Sequence, residues 1–98
     1  MIENFTLDTF AQQMDSAFLL KRESADAVEL RLVEAQDVGS TPRQMQFSIV
    51  FRGPVNVPLV QAIYKMEHDE LGTFDLFIVP IKQDQDGIYY QAIFNRPL

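Results

Sequence analysis

The nine residues Arg43–Phe51, RQMQFSIVF, alternate more cleanly than any other stretch of the chain. Met45, Phe47, Ile49 and Phe51 point one way; Gln44, Gln46 and Ser48 point the other. A period of two suits a strand with one face in a core. A single strand cannot bury that face alone, so the chain must supply partner strands. Other short segments answer the need: AFLLKR (17–22), VELRLVEA (28–35), TFDLFIVPI (73–81) and IYYQAIFN (88–95). LVQAIYKME (59–67) has a helix-compatible composition, but Val60, Ala62, Tyr64 and Met66 alternate with Gln61, Lys65 and Glu67, so it is read as a strand.

The breaks between these segments carry turn chemistry. ESADA and QDVGSTP read as polar loops, and Gly53-Pro54 ends the central strand. Pro54 and Pro58 hold PVNVP extended. HDELG is a turn in which Gly72 can take positive φ, and Asp86-Gly87 reads as a hairpin in which Gly does the same. The N-terminal FTLDTFAQQM reads as a short helix. Thr6 is its cap, Asp8 lies in the first turn, Phe5 and Phe10 sit where a hydrophobic staple would, and Leu7, Phe10, Ala11 and Met14 share a face. The expected fold is all-β: about six antiparallel strands in a small barrel or sandwich, with a short N-terminal helix, in a single domain over residues 1–98. Closing the sheet would remove exposed edges.

Composition narrows the function classes. The chain has 98 residues, 47% of them hydrophobic, enough for a modest core. It has no cysteine, which removes disulfides, thiolate metal sites and a cysteine nucleophile. Net charge is -6 and the basic residues are scattered, so a nucleic-acid partner is not expected. No apolar run approaches a membrane span, and MIENFTLDTF has no basic residue of the kind a signal peptide carries. A cytoplasmic protein without a membrane partner is expected, with incorporation into an exported or tail-like assembly left open.

No catalytic or metal-binding constellation emerges. His68 is the only histidine, set in EHDE, and adjacent strand residues point to opposite faces. It reads as a rim residue whose ring bonds to the turn backbone. DQDG lacks the acid that a calcium loop needs after its glycine. No serine has a nucleophile-elbow context, and no glycine-rich phosphate loop occurs. No cofactor is expected. Val50, Ile63, Phe77, Val79, Tyr89 and Ile93 instead break the alternation on nominally polar faces. Either the N-terminal helix covers part of this surface and the rest is an interaction patch, or the strand phases slip by one residue. Under the patch reading, Ile63, Phe77, Val79 and Tyr89, with Arg52 as a polar anchor, form an interface for a protein partner or a second copy. A small-molecule or glycan site in the barrel mouth, using Tyr64 and Tyr90, is the alternative.

The stretches FSIVFRGP, LVQAIYKMEHDELGTFDLFIVPI and DGIYYQAIFN, with the opening ENFTLDTF, resemble a family of small bacterial domains of unknown function. Ala62 and Asp69 stand where its members often carry glycine and proline. The resemblance implies a compact β-domain without established catalytic residues. Some members are encoded beside phage tail-collar-like (microcystin-dependent) proteins, which implies a role in a tail-like or surface-fibre assembly.

Overall fold

The computed structural model describes residues 4–98. Helix α1 (Leu7–Ala11) precedes six strands: β1 (Ala17–Lys21), β2 (Val28–Asp37), β3 (Gln44–Gly53), β4 (Ala62–His68), β5 (Gly72–Asp84) and β6 (Gly87–Pro97). All pairings are antiparallel, and the sheet closes on itself in the order β1-β2-β3-β6-β5-β4. The all-β class expected from the alternation is the observed one. Inward positions match it too: Phe47, Ile49 and Phe51 of β3 are fully buried, as are Leu30 and Leu32 of β2.

The N-terminus of α1 follows its sequence signals. Thr6 and Thr9 make a reciprocal capping box, with Thr9 N–H donating to Thr6 Oγ1 (3.3 Å) and Thr6 N–H to Thr9 Oγ1 (2.9 Å). The Phe5 and Phe10 rings meet edge-on at 5.6 Å, as a staple would. The helix is shorter than FTLDTFAQQM. Asp15 takes a left-handed φ of 66°, the chain turns into β1, and Met14 is left exposed rather than on the buried face.

α1 does not cover the outside of the sheet. Phe10 enters the interior of the ring and packs near Phe47 (6.1 Å) and Phe94 (5.3 Å), with Phe47 and Phe94 stacked at 4.5 Å. The interior is solid, filled by these rings together with Phe18, Met66, Ile78 and Tyr90.

Of the strand boundaries that differ from the sequence reading, those of β4, β5 and β2 do so by more than two residues or alongside a change in pairing. β4 starts at Ala62, and Leu59–Gln61 belong to the preceding loop, so Val60 lies in the open at 73% exposure. β5 does not stop at Ile81 but runs through Pro80 to Asp84, past the register shift between Pro80 and Lys82. A bulge accommodates proline's missing N–H and leaves one residue outside the ladder. β2 likewise continues to Asp37, with a register shift between Leu32 and Glu34.

The two hairpins of the C-terminal meander use glycine differently. Gly72, opposite His68, has φ of 81°, the left-handed position expected of it. Gly87 does not have positive φ. A Cβ there would lie 2.5 Å from Gly53 O and 2.6 Å from Arg52 Cγ. Asp86-Gly87 therefore needs glycine for close approach to β3, not for turn conformation.

Candidate interaction surface

Outward-facing residues of β4, β5, β6 and β3 form one band. Ile63 lies directly opposite Phe77 across β4–β5, and the two are 68% and 48% exposed. Inward neighbours Leu76 and Ile78 are buried, so the strand phases hold and the outer apolar residues are not a slip of one. Val79, half-buried, continues β5 and faces Gln91. Ile93 of β6 is 66% exposed. Further along, Tyr89 pairs with Arg52 on one side and Lys82 on the other. Ile63, Phe77, Val79, Tyr89 and Arg52 thus share the outer surface, with Ile63–Phe77 at one end and Tyr89–Arg52 at the other. Ile81 is a further exposed apolar residue, set outside the ladder by the shift at Pro80. That shift depends on register, and the alternation alone did not reveal it.

Val50 is the exception. It faces outward yet is buried, as is Ser48. Gln36 and Ile93 flank Ser48; Glu34 and Gln91 flank Val50. Ser48 Oγ is left without a hydrogen-bond partner.

His68 lies at the inner end of β4, 6% exposed, with its ring 4.3 Å from that of Phe18. Its Nδ1 accepts from the backbone N–H of Glu70 (3.0 Å) and Leu71 (3.1 Å). Nδ1 therefore bears no proton, and Nε2–H donates to Ser16 Oγ (2.9 Å), which in turn donates to Gln13 O (2.6 Å). The histidine ties the β4–β5 turn to the segment after α1. Its contact with the turn backbone is the one expected; the link to Ser16 joins distant parts of the chain and had no local signal. Among the described residues, no three potential metal ligands cluster.

A family model spans this whole arrangement, from Phe5 at the staple to Phe94 in β6, matching residues 5–94. The chain belongs to the domain of unknown function DUF6916. Comparison with curated proteins and with solved structures finds no match.

Two open grooves stand out among the described residues of the DUF6916 domain. One, of about 570 Å3, is lined by Tyr64, Ile63, Lys21 and Arg22, among others. Tyr64 is half-buried, and its hydroxyl donates to Val60 O (2.7 Å). Tyr90 cannot line a mouth: it is fully buried, and its hydroxyl oxygen accepts from Leu59 N–H (3.0 Å). Burial pushes its phenol above the ordinary tyrosine value. The other groove, of about 530 Å3, lies at the β2–β3 end of the DUF6916 ring and gathers Arg22, Arg31 and Arg52.

Proposed function

We propose that this DUF6916 domain is a non-enzymatic protein-interaction module. It docks on a different protein through the outer face of β4, β5 and β6. The observation that carries the reading is the Ile63–Phe77 pair, apolar, directly opposed and exposed on a sheet that has no open edge. Strand addition is closed off by the ring, so docking must use side chains on a face. A heterologous partner fits better than a second copy. Self-association would bring together two chains that each carry a formal net charge of -6.

The resemblance to small bacterial domains encoded beside tail-collar-like proteins supports a partner in a phage-tail-like or surface-fibre assembly. No helix among the described residues is long and apolar enough to cross a membrane, which is compatible with a cytoplasmic protein later built into such an assembly. The test is sedimentation velocity of the domain with a tail-collar-like protein of the kind encoded beside members of the resembled family. Co-sedimentation is expected, and F77D or I63D should abolish it while the far-UV spectrum is unchanged. A strict monomer that recovers nothing from that partner would sink the reading.

A further inference from the structure

Arg31 of β2 and Arg52 of β3 are direct cross-strand partners. Like charges in that relation repel. Arg31 is partly engaged, since one terminal nitrogen donates to Asp15 O and the other lies 3.6 Å from Glu29. Arg22 uses Nε on Asp26 O (2.9 Å). Arg52 has no carboxylate within ion-pair distance among the described residues. Its stem is nonetheless placed, because Gly87 leaves the space that Arg52 Cγ and Cδ occupy. Its head lies beside the Tyr89 hydroxyl, a neutral partner, so this half-buried arginine with a seated stem keeps an uncompensated charge and further donors for an anion.

The groove around that head is mixed rather than purely basic: Asp26, Glu29 and Asp86 line it with the three arginines. Val57 and Pro54 give it an apolar side. A dianion such as phosphate would meet both the carboxylates and the acidic field of the chain. A monoanion that also carries hydroxyl donors would satisfy both sets of groups. We infer that this groove binds a small hydroxylated carboxylic acid, its carboxylate on the forked donors of Arg52 and its hydroxyl groups on Asp26 and Asp86. The groove lies apart from Ile63 and Phe77 and shares Arg52 with the far end of the outer band.

Titration of the full chain with sodium D-glucuronate, followed by two-dimensional amide NMR, tests this. Saturable shifts at Arg52, Gly53 and Asp86 are expected, in the millimolar range or tighter. Glucose should leave these amides unmoved, and inorganic phosphate should bind more weakly than glucuronate. R52A should weaken binding by about tenfold or more, in line with loss of a charge-assisted bond. R52K keeps the charge without the fork and should still lose several-fold, which covers the case in which R52A fails to fold. The inference is overturned if glucuronate gives no saturable shift, if glucose moves the same amides equally, if phosphate binds more tightly, or if R52A and R52K both bind as the native chain does.

Discussion

His68→Ala removes the acceptor for two turn amides and a ring packed on Phe18. The expected loss is about 2–4 kcal/mol of folding stability, measured by urea unfolding. An unchanged midpoint would show that the turn holds itself. Ser48 is the opposite case. Its hydroxyl is buried without a partner, so Ser48→Ala should leave stability unchanged or raise it by about 1 kcal/mol. Tyr90 gives the alkaline limb. Its folded-state phenol is raised by burial, so the folded chain keeps a proton that the unfolded chain has lost. The associated stability is complete below about pH 10, the unfolded value, and is lost as pH climbs through the folded value. Tyr90→Phe should flatten that decline, while the orphaned Leu59 N–H costs about 1–3 kcal/mol at neutral pH.

At the scale of elements, the two C-terminal hairpins separate two uses of one residue type. Gly72→Ala meets open space but forces a side chain into φ of 81°, for a loss of about 1 kcal/mol. Gly87→Ala drives a Cβ into the backbone of Gly53 and should cost more, about 2–4 kcal/mol by thermal or urea unfolding. If both variants unfold alike, the close approach is not what selects Gly87. Sequence reading distinguished these glycines poorly for a physical reason. Turn conformation is local and leaves a signature in neighbouring residues. Close approach depends on Gly53 and Arg52, which reach Gly87 only through the β3–β6 pairing. The helix cap was legible because a capping box is local; the length of α1 was not, because the chain after its C-cap Gln12 is held by a long-range bond from Asp15 N–H to Leu32 O.

For the whole molecule, alternation exposed the strands and their inward faces because burial imposes a period of two. Strand order was legible only in part: the Asp86-Gly87 hairpin sets β6 beside β5, but no local pattern encodes its pairing with β3. The exposed apolar pair Ile63 and Phe77 was legible as breaks in alternation. The arginine groove was not, since Arg22, Arg31 and Arg52 converge only when the ring forms. Closure itself rests on the shortest strand. β1 meets β4 in three register pairs, Leu19 with Glu67, Leu20 with Met66 and Lys21 with Lys65. The last places two ammonium groups opposite each other, each drawn aside by an acid, Glu67 at 3.7 Å and Asp75 at 3.6 Å. This seam is where the domain should breathe. In native-state hydrogen exchange, β1 and β4 amides at the seam should open at lower free energy than those of the long β3–β6 ladder. Each opening bares two strand edges that the closed ring conceals, so conditions that favour sub-global opening, short of full unfolding, should already promote edge-to-edge aggregation.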